Sequence, residues 1–395
     1  MAVGSIYLTL LEFAILVTTA ESLSLILAKY KYPSIVAELL TGIALSPYAL
    51  GGLLNALLHV DLFSINNYVV FLSEFSVILL LFASGLGHGL SSLKQGGFPG
   101  LMAAVAGAIL PFMTVYWYCT SVGFSQVAAS LIALSTAPTS LAVVANIIER
   151  EGLHELPSTK VLVAAASVDD VVALILLSTL PTSPSTDSVA GFTLRIVKIA
   201  VLWVIFLTAS ILLIPRLLNR INEYLVVYAS LIVLFGLVVS MVASGFSAVI
   251  ASFIAGVAVA ESRESGRVRA SIDALLAIFG SIFFITIGLQ MNFKTITNLT
   301  TILQSLIVSA IAIIAKVIGV YPFAYIKLRN TSASLTASLG MVPRGEMGLV
   351  IASIGLSSSL LNPSEYGLIL IMVLATTIIG SILYRRSIRL NIEGN

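Results

Sequence analysis

The chain has 395 residues, of which 58% are hydrophobic and only 10% charged, with a mean hydropathy of +1.09. A soluble domain carries about 25% charge, so this composition excludes one and specifies an all-α polytopic protein held in a lipid bilayer. The net charge of +2 comes without a basic cluster suited to nucleic acid, one cysteine (Cys119) excludes an intrachain disulfide, and three scattered histidines (His59, His88 and His154) make no zinc or haem constellation.

Apolar segments of spanning length divide the chain into about thirteen helices. They fall at 5–28, 34–49, 69–89, 98–120, 124–148, 159–180, 195–215, 222–242, 245–261, 272–291, 298–325, 332–357 and 364–384. The first lacks a basic leading region and holds Glu12 and Glu21, so it reads as a retained helix and not a cleaved leader. The second is short and follows Pro33, consistent with a tilted or interfacial entry. An odd number of spans puts the termini on opposite faces. Fifteen of the twenty Lys and Arg fall on one set of loops and only Arg195, Lys198 and Lys294 on the other, while Lys316 and Arg344 lie inside apolar segments. That asymmetry predicts the N-terminus outside and the C-terminus in the cytoplasm. PTSPSTDS (Pro181–Ser188) marks a boundary between two halves, ESRESGRVR (Glu261–Arg269) marks a second, and no soluble regulatory domain is expected after the last span.

The chemistry-bearing residues begin in the fifth span, where STAPTSLAV places Pro138 mid-membrane among Thr136, Thr139 and Ser140. Proline removes one helical hydrogen bond, and freed backbone groups are tolerated in a membrane only where protein or a cavity satisfies them. The sixth span, VLVAAASVDDVVALILLSTL, carries Asp169 and Asp170 near its centre. At a rise of 1.5 Å per residue each carboxylate lies about 15 Å from either end, at the midplane of a hydrocarbon core about 30 Å thick. Ionisable groups there usually mark an ion or proton path. The eleventh span buries Lys316 in IIAKVIGV, and the twelfth, GMVPRGEMGLV, repeats the proline theme with Pro343 and Gly345 beside Arg344 and Glu346.

Two interrupted helices in corresponding positions of two halves point to a transport site at a repeat interface. Adjacent carboxylates in a low dielectric cannot both ionise cheaply. A buried Lys316 ammonium favours ionisation of one of them, and a Na+ or Li+ ion held by oxygens of Asp170, Asp169 and the broken fifth helix would replace that partner. Competition between protons and a hard monovalent cation at one site suffices for antiport if the site faces one side at a time. Plainer readings exist for the remaining polar residues. Arg344 and Glu346 can serve to offset half-helix dipoles. Glu12, Glu21, Glu38 and Glu74 suit either an entry funnel or polar contacts between helices. His88 and His154 read as surface histidines, and Gly256 and Gly319 as packing glycines.

The ordered set of motifs resembles the bacterial and archaeal Na+/H+ antiporters of the cation:proton antiporter-2 family, most closely its NapA type. PSIVAELLTGIALSP (Pro33–Pro47), SEFSVILLLFASGL (Ser73–Leu86), SVDDV, IFFITIGL (Ile282–Leu289), IIAKVIGV and MVPRGEMGLVIA follow in the family's order over nearly the whole chain. The resemblance implies Asp170 as the main ion and proton carrier, with Asp169 paired to Lys316 in the proton-loaded or ion-free state. It places Thr139 and Ser140 at an unwound helix. The aspartate pair with a lysine is the pattern associated with electrogenic exchange. It implies two inverted repeats with two crossing broken helices, a core domain (98–180 and 295–395), dimerisation-side helices (1–97 and 222–294) and a linker (181–221), assembled as a homodimer in a prokaryotic plasma membrane. The core would move in an elevator-like step, carrying Na+ or Li+ against H+ without a cofactor or enzymatic activity. The chain departs from the pattern at GLGHG (Gly85–Gly89), at Ser167 and at Pro138, the last of which bears on cation preference. A K+/H+ antiporter on the same fold uses the same oxygen ligands. A Na+-coupled organic-anion symporter would need a roomy cavity, and a channel would not place a lysine and an acid pair along its pore.

Overall fold

The computed structural model describes residues 5–87, 90–153, 156–179, 189–244, 246–292 and 298–393, so His88, His154, Lys294 and the Pro181–Ser188 loop lie outside the described residues. Among those described, sixteen helices form and no strand does. They are α1 (Ser5–Lys29), α2 (Ser34–Ala44), α3 (Leu50–Leu58), α4 (Asn67–Gly87), α5 (Leu90–Ser121), α6 (Gln126–Ser135), α7 (Leu141–Glu151) and α8 (Pro157–Thr179), followed by α9 (Val189–Leu218), α10 (Val226–Ala243), α11 (Ala248–Ala260), α12 (Ser265–Leu289), α13 (Leu299–Leu328), α14 (Thr331–Gly340), α15 (Glu346–Ser357) and α16 (Pro363–Glu393).

Among the described residues, nine helices (α1, α4, α5, α8, α9, α10, α12, α13 and α16) are long and apolar enough to cross a membrane. Four expected spans differ. The fifth is split into α6 and α7, the twelfth into α14 and α15, and the ninth is the 13-residue α11. The second ends at Ala44, and a separate α3 follows in the stretch between 49 and 69 to which the sequence reading assigned no helix. Its adjacent glycines hide the helix from propensity, but Gly51 is needed there: a Cβ would strike the Leu45 carbonyl.

The chain divides into two compact units: Met1–Leu23, Glu38–Ser91 and Ser185–Gln290 form the first, and Ser24–Ala37, Ser92–Pro184 and Met291–Asn395 the second. In the first, α4 packs along α11 and α12. The backbones approach so closely that a Cβ on Gly256 would collide with the Phe82 carbonyl and lie 2.9 Å from the Gly85 Cα. Small residues allow this contact, and in a membrane it is packing of this kind that drives helices together. Asn55 ties the following turn to α3, accepting from the Phe63 amide (2.9 Å) and donating to the Phe63 carbonyl (2.7 Å). Leu16, Leu62, Phe63, Val69, Ile285 and Leu289 close the core behind it.

In the second unit a long helix, a broken helix and a long helix occur twice in that order: α5, α6/α7, α8, then α13, α14/α15, α16. Side-chain oxygens start the pieces. Ser125 accepts from the Ala128 amide to begin α6, Asn298 from Thr300 to begin α13, and Asn330 from Ala333 to begin α14. Asn362 begins α16 by accepting from the Ser364 and Glu365 amides while Glu365 returns a carboxylate to the Asn362 amide at 2.8 Å, a reciprocal capping box with Pro363 in the first helical position. The broken pieces pack across the repetition, α6 on α15, α7 on α16 and α8 on α14. Gly319 lets α13 lie against α5, where a Cβ would sit 2.6 Å from the Ala106 carbonyl.

Gly256→Leu is expected to lower the thermal unfolding temperature in detergent, since the backbones of α4 and α11 must separate to admit the side chain. Gly236→Ala, where nothing lies within 4 Å of the added methyl, is expected to leave it unchanged or raise it slightly. Equal effects of the two would remove the close-packing account.

Candidate functional site

Both helix breaks follow from local sequence. Pro138 has no amide hydrogen and disfavours the α conformation in the residue before it, so α6 stops at Ser135 and the chain runs irregularly until Ser140 caps α7. Pro343 does the same between Gly340 and Glu346. Freed backbone groups in a hydrocarbon layer need partners, and here each break supplies them to the other. The Ser140 amide donates to the Pro343 carbonyl at 2.9 Å, and Arg344 Nη1 donates to the Pro138 carbonyl at 2.9 Å. Thr377, on α16, donates its hydroxyl to the Arg344 carbonyl.

The carboxylate of Asp169 sits against this crossing. Its Oδ2 accepts from Thr139 Oγ1 at 2.6 Å and from Lys316 Nζ at 2.7 Å, and Lys316 also donates to the Ala137 carbonyl at 2.7 Å. Both side chains of the ion pair are completely buried. Removing two charges from water costs several kcal/mol each, and only near-ideal geometry with further hydrogen bonds offsets that. Thr139 and Ala137 provide those bonds. Asp170 is also buried. One residue on, it is turned about 100° around α8, and its charge acts on Lys316 without replacing Asp169 as the ion-pair partner.

Arg344 and Glu346 occupy opposite electrostatic ends of the crossing. Arg344, fully buried, reaches the carbonyl end of the first break, where α6 leaves a partial negative charge. Glu346 opens the first turn of α15, and Ser140 Oγ, at the cap of α7, donates to its Oε2 at 2.8 Å. The carboxylate therefore faces two helix N-termini, which carry partial positive charge.

Thus Asp169, Asp170, Lys316, Thr139, Ser140, Pro138, Pro343, Arg344 and Glu346 all belong to the second unit, and the structure assembles them around one crossing. The four glutamates considered for an entry funnel or for polar contacts between helices belong to the first unit: Glu12 and Glu38 are buried, Glu21 and Glu74 exposed, and Glu12 accepts from the Ser64 amide at 3.0 Å. Ala137 and Thr377 were missed. Thr377 belongs to a Thr-Thr pair inside the apolar last span, which is the signal that would have found it. The carbonyl of Ala137 has no such signature. Chemically the site offers carboxylate, hydroxyl and carbonyl oxygens, a donor set for hard cations. Among the described residues no group of three or more His, Cys, Asp or Glu could hold a metal ion.

A family model for the transmembrane sodium/hydrogen exchanger matches residues 13–386. A Na(+)/H(+) antiporter of Enterococcus hirae is 29% identical over 371 residues, covering 90% of this chain and 92% of the relative. The Na(+)/H(+)-K(+) antiporter GerN of Bacillus cereus is 30% identical over 358 residues, covering 88% of each. Among solved structures, the sodium proton antiporter MjNhaP1 of Methanocaldococcus jannaschii shares the fold with a TM-score of 0.74 at 16% identity, over 96% of both chains.

Asp169→Ala leaves the Lys316 and Arg344 cations buried together without their shared acidic neighbour. A loss of about 3–5 kcal/mol of stability is expected, read as a depressed melting temperature. Asp169→Asn combined with Lys316→Met removes both charges and is expected to recover much of it; a double variant as unstable as Asp169→Ala would show that the ion pair is not the source.

Proposed function

The chain belongs to the transmembrane sodium/hydrogen exchanger family, and on that basis we propose that it is a secondary-active, electrogenic Na+(Li+)/H+ antiporter of the NapA type, working by alternating access. The observation that carries this reading is the pair of adjacent buried carboxylates at the crossing of two broken helices, one of them ion-paired to a buried lysine. Asp170 is the carrier of cation and proton in turn. Its oxygens, with those of Thr139 and the opened backbone, replace the water of a small cation, and the cation's charge displaces the proton because one carboxylate site cannot accommodate both. Asp169 is held by Lys316 when the site is free of cation. Arg344, Glu346 and Ser140 keep the crossing rigid, and Pro138 and Pro343 keep it open.

The second unit corresponds to a mobile core and the first to the dimerisation side of a homodimer, with the core moving in an elevator-like step. The separate compactness of the two units supports this division. The distribution of Lys and Arg supports an N-terminus outside and a C-terminus in the cytoplasm of a prokaryotic plasma membrane. A potassium-accepting variant of the same exchange is the second reading, favoured by the name of the Bacillus cereus relative.

In sealed proteoliposomes, adding Na+ or Li+ is expected to move protons, with a rate that responds to membrane potential. Asp170→Asn should abolish that movement while keeping its melting temperature. Transport surviving in this variant would remove Asp170 as carrier, and a response to K+ alone would select the second reading. Competition also fixes the pH dependence. Where the carrier is mostly protonated, the KM for Na+ should rise by up to about tenfold for each unit fall in pH while the maximal rate holds. A KM indifferent to pH would exclude a shared site.

A further inference from the structure

Arg344 uses only one corner of its guanidinium. Nη1 donates to the Pro138 carbonyl at 2.9 Å, whereas Nε and Nη2, both fully buried, meet no acceptor among the described residues. These two groups lie on one edge of the planar guanidinium, the edge whose parallel N–H bonds match a carboxylate bidentately. An uncompensated donor pair of this kind is costly in a dry interior, so the open edge calls for an acceptor at some stage of the protein's working life.

The surroundings limit what that acceptor can be. Lys316 and Arg344 stand on successive carbonyls of the same opened stretch, Ala137 and Pro138, and the next residue, Thr139, donates to Asp169. Asp169 is the acidic group whose charge acts on Arg344, and it also acts on Lys316, more strongly than Asp170 does. Glu346, a further carboxylate at the crossing, is engaged by Ser140. One turn either side of Asp169 on α8, the chain carries Ala165 and Ala173, which bring no oxygen.

We propose that the Nε/Nη2 edge of Arg344 is a second seat for the Asp169 carboxylate, taken up when Lys316 releases it. Lysine can surrender its proton to water; the guanidinium cannot. When Lys316 is neutral, Asp169 passes to Arg344 as a carboxylate and needs no proton of its own. Arg344 is then a positioning residue that keeps Asp169 ionised, leaving Asp170 and Lys316 as the groups that exchange protons. The place of this step in a transport cycle rests on the antiport reading; the seat itself does not.

The test is a set of double-variant comparisons read from thermal unfolding. Arg344→Gln should depress the melting temperature about twofold more in a Lys316→Met background than in the native one, because either cation alone can hold Asp169 but its loss from both sides strands the charge. With Asp169→Asn added to every member, the difference should vanish. Equal shifts in both backgrounds, or a coupling that persists once Asp169→Asn has removed the charge, would overturn the seat and leave Arg344 as a cap on Pro138. If Lys316→Met with Arg344→Gln does not fold, Arg344→Lys replaces Arg344→Gln: it keeps a cation for the Pro138 carbonyl and removes the two-pronged edge. A structure of Lys316→Met should show the Asp169 carboxylate within hydrogen-bond distance of Nε and Nη2, and an unmoved Asp169 would overturn the proposal. Stability coupling is measurable whether or not ions are exchanged, so a failed flux assay with intact coupling would count against antiport alone.

Discussion

A helix interrupted inside a hydrocarbon layer leaves amides and carbonyls with nothing to bind, and the second unit is organised around meeting that demand. It contains two such interruptions and sets them against each other. The amide of Ser140 finds the carbonyl of Pro343, and the side chain of Arg344 finds the carbonyl of Pro138. Neither break would be tolerable alone at this depth. Together they form a small polar island whose backbone is fixed by mutual hydrogen bonds, with α8 and α13 delivering charged side chains into it.

The charges obey the same logic. Cations lie where helical carbonyls end, at Ala137 and Pro138, and Glu346 lies where amides begin, at the start of α15 and beside the Ser140 cap of α7. Each charge thus answers a backbone dipole as well as another side chain.

Much of this could be read in the amino-acid sequence because a membrane makes polar residues conspicuous. Asp169, Asp170 and Lys316 stand out from apolar runs, and Pro138 and Pro343 announce the breaks. What the sequence did not disclose were the pairings. Arg344 and Pro138 are 206 positions apart, as are Ser140 and Glu346, and no periodicity within one helix encodes a contact between two halves of the chain. Neighbouring aspartates also look equivalent in sequence; which one meets Lys316 was taken from family resemblance, and the geometry of α8 against α13 gives that partner a physical basis. The helix α3 was hidden for a different reason: Gly51 and Gly52 lower helix propensity, yet the turn at Leu45 and Pro47 demands residues without a side chain. There tertiary packing overrides local preference.

Ser140 and Gly345 touch in a way that ties their histories together. Ser140 Oγ, which serves both the start of α7 and the Glu346 carboxylate, occupies the space that any Cβ on residue 345 would need. The Ser140 Cβ would also lie 2.6 Å from the added atom, so a side chain at 345 is admissible only if residue 140 gives up its side chain altogether, and the lost oxygen would have to be made good from residue 345 itself. Natural variation at these two positions should accordingly come as paired exchanges, a larger residue on one side of the crossing matched by a smaller one on the other. Single replacements at either would meet a barrier that the pair together does not.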